Sequence, residues 1–118
     1  MLDDCHILVV EDEFFLAQEM KQDLKDAGAV VLGPEPSVDR ALARISKEPR
    51  IDVAVLDVNL GGEKVFPVAD ELAARNVPFL FVTGYENMVI HSRYPHVLKF
   101  NKPTDIQHLI TALKRLLA

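Results

Sequence analysis

Four places in this chain of 118 residues carry side chains whose types suit one piece of chemistry. Glu11 and Asp12 form an acidic pair, Asp57 opens the stretch Asp57-Val58-Asn59-Leu60-Gly61-Gly62, Thr83 precedes Gly84, and Lys102 precedes Pro103. Three carboxylates brought within a few ångströms of one another repel, and at least one is driven toward its neutral form unless a cation compensates. Mg²⁺ meets that need: it prefers oxygen ligands, keeps several waters and typically takes one or two carboxylates plus a phosphate oxygen. Glu11, Asp12 and Asp57 offer the carboxylates, and the backbone carbonyl of Asn59 offers a further oxygen. Phosphoryl transfer asks for an in-line nucleophile and for positive charge on the equatorial oxygens of the moving group. Asp57 suits the nucleophile. On an acyl phosphate there, Mg²⁺, the Lys102 ammonium and the Thr83 hydroxyl would each meet one oxygen.

This chemistry requires elements that bring the four places together. Apolar runs at Ile7–Val10, Val30–Leu32, Val53–Leu56, Phe79–Val82 and Val97–Phe100 read as strands, the third with the continuous apolar pattern of a strand buried on both faces. Between them lie segments of helical period. One runs from about Phe14 to Ala27, with Leu16, Met20 and Leu24 on a stripe and Gly28 ending it. A second places Val38, Ala41, Leu42 and Ile45 at i, i+3, i+4, i+7 behind Ser37 as N-cap. A third carries Val65, Ala69, Leu72 and Ala73, and a fourth Ile106, Leu109, Ile110, Leu113 and Leu117. The weakly periodic stretch from Glu86 to Tyr94 is assigned a short helix. Phe14, Phe15 and the Leu-rich last helix are expected in the core, and His6, His91, His96 and His108, which lack paired ligand spacing, in structural or surface roles.

Strand and helix alternation of this kind predicts an α/β fold, a (βα)5 doubly wound five-stranded parallel sheet of flavodoxin-like order 2-1-3-4-5 with right-handed crossovers. Ligands of such sheets bind beyond the carboxyl ends of the strands. Glu11-Asp12, Asp57, Thr83-Gly84 and Lys102-Pro103 follow strands one, three, four and five. They are therefore expected to converge.

Length, with no repeat or linker, is consistent with one domain over residues 1–118. The formal charge of -5, with Lys and Arg scattered, argues against binding nucleic acid. Cys5 is the only cysteine, so no internal disulfide or Cys-based metal framework can form. The acidic N-terminus and short apolar runs point to a protein without a membrane span, and a cytoplasmic location is expected.

Across essentially its whole length the chain resembles the receiver domains of bacterial two-component response regulators. The resemblance rests on Glu11-Asp12, the Asp57–Gly62 loop, Thr83-Gly84 and Lys102-Pro103. It implies phosphotransfer from a histidine kinase, or from a histidine phosphotransfer protein, to Asp57, with Glu11 and Asp12 serving Mg²⁺ and with Lys102 and Thr83 sensing the phosphoryl group. A homodimer is compatible with it. The stretch Pro78-Phe79-Leu80-Phe81-Val82-Thr83-Gly84-Tyr85 looks like the subgroup nicknamed "FAT GUY", with Val82 in place of the alanine. Members of that subgroup are often associated with kinases of the HWE or HisKA2 type, and many stand alone as single domains.

One position departs from the family pattern. Most receivers place Tyr or Phe three residues before the essential lysine, and this chain has Lys99 there, with Phe100 on the opposite strand face. Tyr85, two residues beyond Thr83, is assigned part of the switching role. Two other functions compete with the phosphoacceptor. One is a Mg²⁺-dependent phosphatase using the same Asp nucleophile, although the second acid of such enzymes, two residues on, is here Asn59. The other is a docking module that does not use phosphorylation.

Overall fold

The computed structural model of the chain describes residues 2–84 and 93–118. Strand β1 (His6–Val10) leads into helix α1 (Phe14–Asp26), β2 (Val30–Glu35) into α2 (Val38–Lys47), and β3 (Val53–Asp57) into a two-stranded hairpin of β4 (Asn59–Leu60) and β5 (Glu63–Lys64) ahead of α3 (Phe66–Ala74). Strand β6 (Phe79–Thr83), β7 (Lys99–Asn101) and α4 (Ile106–Leu117) complete the described elements. The main sheet has the order β2-β1-β3-β6-β7 and every pairing in it is parallel. Counting only its own five strands, this is the expected order 2-1-3-4-5.

Period-two alternation divides the core between the two faces of the sheet. Leu8, Val10, Ala54, Leu56, Phe79 and Phe81 pack with Val38, Ala41 and Ile45 of α2 and with Phe66, Ala69 and Leu72 of α3. Ile7, Val9, Val53, Val55, Leu80 and Val82 face Leu24 of α1 and Leu109, Ala112 and Leu113 of α4. Strand β3 is buried throughout because both faces of the central strand are covered. Its last residue, Asp57, belongs to this buried run.

Local signals set the element ends. Ser37 Oγ accepts the Arg40 N–H at 3.2 Å as the N-cap of α2. Gly28, at φ +99°, turns the chain out of α1, and its N–H donates to the Lys25 carbonyl at 2.9 Å. The β1/β2 register slips by one residue between Leu8 and Val10, so that Gly33-Pro34 together stand opposite Val9 and Val10 comes opposite Glu35. Gly33 sits at φ +98°, and a Cβ there would approach the Val9 carbonyl oxygen to 2.9 Å.

Several expectations need correction or limits. Phe14 and Phe15 are not core residues: they are 65% and 77% exposed, stacked edge to face on each other at the start of α1. Leu16 is exposed too, and Ala17 takes its place on the buried stripe with Leu24. The fifth strand of the sheet is shorter and later than its apolar run, Lys99–Asn101, because pairing to Phe81–Thr83 sets its limits. The β4/β5 hairpin was not expected from periodicity. Most of the stretch assigned a short helix, together with Tyr85 and His91, lies outside the described residues.

Candidate functional site

Glu11 directly follows β1, Asp57 ends the adjacent strand β3, and Thr83 ends β6. Lys102 follows β7, and its N–H donates to the Thr83 carbonyl at 3.0 Å, which extends the β6/β7 pairing into the site. These contacts bring the four sequence clusters to one mouth at the carboxyl edge of the sheet. Asp12, Asp57, Asn59, Gly61, Gly62, Thr83, Gly84 and Lys102 line it.

The charged atoms are close. Lys102 Nζ lies 3.1 Å from Asp57 Oδ2 and 3.1 Å from Glu11 Oε1, so a single ammonium bridges two carboxylates. Glu11 and Asp57 are only 4% and 5% exposed, whereas Asp12 stands open to solvent. One carboxylate oxygen from each of Glu11, Asp12 and Asp57 can be chosen so that all three lie within 4.8 Å of one another. Thr83 is 1% exposed.

Backbone donors hold the two buried acids. The Glu13 N–H donates to Glu11 Oε2 at 3.0 Å, and the Asn59 N–H donates to Asp57 Oδ1 at 3.2 Å. The Glu11 N–H in turn donates to the Glu35 carbonyl at 3.0 Å, a bond that the Gly33-Pro34 insertion makes possible. Glu35 is fixed by Arg44, whose Nε donates to it at 2.8 Å. Glu13 also caps α1, accepting the N–H groups of Phe15 and Leu16. Glu13 and Glu35 therefore support the site without having been marked by the sequence patterns. The Gly33-Pro34 dipeptide before Glu35 was the available signal for the second.

Electrostatics follow from this crowding. Burial, and then the hydrogen bond and charge of Glu11, push the Asp57 carboxyl up to about 7, against the opposing pull of Lys102. For Lys102, burial works against its charge, but the hydrogen bonds to Asp57 and Glu11 outweigh it and raise its pKa. One ammonium does not fully offset the two buried acids. A cluster of oxygen donors with excess negative charge suits a hard divalent cation.

Lys99, at the position where most receivers carry an aromatic switch residue, and Phe100 beside it lie on β7 and do not line the mouth. Lys99 Nζ donates back to the Val97 carbonyl at 2.7 Å, and Phe100 packs toward the α1/α4 layer. Tyr85 lies outside the described residues.

A doubly wound parallel sheet with a lysine-bridged acid pocket at its carboxyl edge defines a class of α/β domain whose site lies beyond the strand ends. Residues 7–114 match the family model described as the response regulator receiver domain, and the chain belongs to that family. The solution structure of SdrG from Sphingomonas melonis Fr1 is similar at 40% identity and a TM-score of 0.83, covering 98% of both chains. The BeF3-activated conformation of SdrG, from Pseudomonas melonis Fr1, is similar at 39% identity and a TM-score of 0.79 over 100% of both. A curated relative, the sensory transduction protein LytT of Bacillus anthracis, is 27% identical over 92% of this chain, which spans only 46% of LytT.

Among the described residues, no helix is long and apolar enough to cross a membrane.

Proposed function

We propose that this receiver domain takes a phosphoryl group onto Asp57 from the phosphohistidine of a histidine kinase or a histidine phosphotransfer protein, and signals through the contacts that follow. The observation that carries this reading is the placing of Lys102 Nζ at 3.1 Å from both Asp57 and Glu11, at the mouth that Thr83 also lines. An Asp57 oxygen attacks the phosphorus as the bond from phosphorus to the donor nitrogen breaks, and the donor ring, already protonated on its other nitrogen, keeps the electron pair and leaves as neutral imidazole. Lys102 is then beside the new oxygens, and the Thr83 hydroxyl lies within the same mouth. Glu11, Asp12 and Asp57 would hold Mg²⁺, with the Asn59 carbonyl as a further candidate ligand. When bound, that ion supplies the positive charge that two buried acids and an incoming phosphoryl group need.

A donor large enough to carry phosphohistidine must cover the rim of this mouth. Phe14 and Phe15, which follow Asp12 and Glu13 directly, are exposed apolar surface suited to such a contact. The "FAT GUY"-like stretch favours an HWE or HisKA2 kinase as donor. The BeF3-activated conformation of the similar protein SdrG supports a phosphorylation-driven change in this chain as well.

The phosphatase reading is less well supported, since Asn59 stands where a general acid is needed and its N–H is engaged by Asp57. Incubation of the intact protein with phosphoramidate and Mg²⁺ tests the proposal. The expected result is a mass increase of one phosphoryl group that is absent in Asp57→Asn and lost on omitting the metal. An equal increase in Asp57→Asn, or none in the wild type, would reject it.

A further inference from the structure

Glu35 ends β2 at the edge of the sheet, yet the residue is only 8% exposed. A carboxylate kept from water requires a partner. Arg44 supplies it from α2: its Nε donates to Glu35 Oε2 at 2.8 Å, while its Nη1 donates to Glu48 Oε2 at 3.0 Å. Glu48 lies one turn beyond Arg44, so two carboxylates hold the guanidinium plane, and the helix beneath it is fixed by Ala41 and Ile45 in the core. Arg40 and Lys47 line the same surface of α2, but Arg44 is the cation that reaches Glu35 among the described residues.

The backbone of Glu35 has little else to hold it. The ladder to β1 is interrupted at Gly33-Pro34, Pro34 has no N–H to donate, and beyond the slip pairing resumes at a single position, Val10 with Glu35. From there the Glu35 carbonyl accepts the Glu11 N–H at 3.0 Å, and Glu11 Oε1 lies 3.1 Å from Lys102 Nζ. A continuous series of contacts thus runs from α2 to the acid pocket: Arg44 to the Glu35 carboxylate, the Glu35 carbonyl to the Glu11 N–H, and the Glu11 carboxylate to Lys102.

We infer that Arg44 is a positioning residue for Glu11. By neutralising the Glu35 carboxylate it keeps that residue turned in at the strand end, and the Glu35 carbonyl then fixes where Glu11 presents its own carboxylate. Without the guanidinium, the Glu35 carboxylate turns out to water, its carbonyl swings with it, and the Glu11 N–H loses its acceptor. The affinity of the pocket for Mg²⁺ is thereby set in part from the outer face of α2. The link to the metal rests on the proposed reading of Glu11, Asp12 and Asp57 as the Mg²⁺ site, whereas the hold on the Glu11 N–H does not.

Amide hydrogen exchange of the full chain, read by NMR in chelator, follows the Glu11 N–H directly. A Mg²⁺ titration of the same variants, followed at the Asn59 amide, gives the affinity. Arg44→Met should speed exchange at Glu11 at least about fivefold and weaken Mg²⁺ binding about 3–10-fold, the equivalent of one hydrogen bond lost. Glu35→Met/Arg44→Met leaves no buried charge to expose, so both readings should return to near the wild-type values although the arginine is still missing. Ser37→Ala loosens the same helix at its cap without touching Glu35, and should change neither. An Arg44→Met chain that matches Ser37→Ala at Glu11, or a double variant as impaired as Arg44→Met, overturns the inference. Faster exchange with unchanged Mg²⁺ affinity overturns the link to the metal. A wild type that binds no Mg²⁺ overturns the metal-site reading itself, and exchange at Glu11 then still decides whether Arg44 positions it.

Discussion

Asp57 binds its proton more tightly in the folded chain than in the unfolded one, where a carboxyl titrates near about 3.9. Its folded value of about 7 gives the metal-free protein a contribution to stability that is complete below the unfolded pKa and is lost as pH rises through the folded one. In chelator, the midpoint of urea unfolding should therefore fall between pH 5 and pH 8. Asp57→Asn, which cannot ionise, should be more stable than wild type at pH 8 by on the order of 2–4 kcal/mol and nearly equal to it at pH 4. A gap that is the same at both pH values would contradict the assignment of this proton. Lys102→Met has the opposite sign: at pH 8 it leaves Glu11 and Asp57 facing each other, and a loss of about 1–3 kcal/mol is expected without metal. Saturating Mg²⁺ should reduce that loss, and unfolding curves with and without the ion measure it. The four charged or hydroxyl-bearing clusters were legible because each follows an apolar run directly, so the topology had only to bring strand ends together. Glu13 and Glu35 were not legible, since they act through a backbone N–H and a backbone carbonyl, groups that every residue has.

Among the elements, β2 acts on the site through its backbone. Its Gly33-Pro34 insertion brings the Glu35 carbonyl to the Glu11 N–H. Gly33→Ala places a Cβ against the Val9 carbonyl oxygen at a positive φ, and a loss of about 1–3 kcal/mol is expected, together with weaker Mg²⁺ binding. Ser37→Ala removes the cap of α2 without touching the residues that line the pocket, and should cost about 1 kcal/mol while leaving metal affinity as it was. Thermal melts and a metal titration on the two variants separate these effects. Strands of five or six residues and helices of nine or more were readable in the sequence. The β4/β5 hairpin was not, because strands of two residues are too short to show alternation. Phe14 and Phe15 are apolar without being buried. The buried stripe of α1 passes through Ala17 and Leu24, and two consecutive aromatics at the helix start cannot both share it.

For the whole molecule, the exposed Phe14-Phe15 pair predicts a difference between donors. Phe14→Ser/Phe15→Ser should slow transfer from a phosphorylated kinase at least about tenfold more than labelling by phosphoramidate, as expected when an apolar anchor is removed from a contact surface. Its unfolding midpoint should stay close to wild type, since neither ring is buried. Equal slowing with both donors would place the pair in the chemistry and not in partner contact. Comparing the rates of both reactions by intact mass decides it.

The Lys102 ammonium is 45 residues from Asp57 along the chain and 91 from Glu11, yet it is what holds those acids together. Without β7 at the sheet edge, Glu11 and Asp57 would face each other without that ammonium. Closure of the sheet is thus reinforced by the same ionic contact that completes the pocket, so the edge strand and the site stand or fall together.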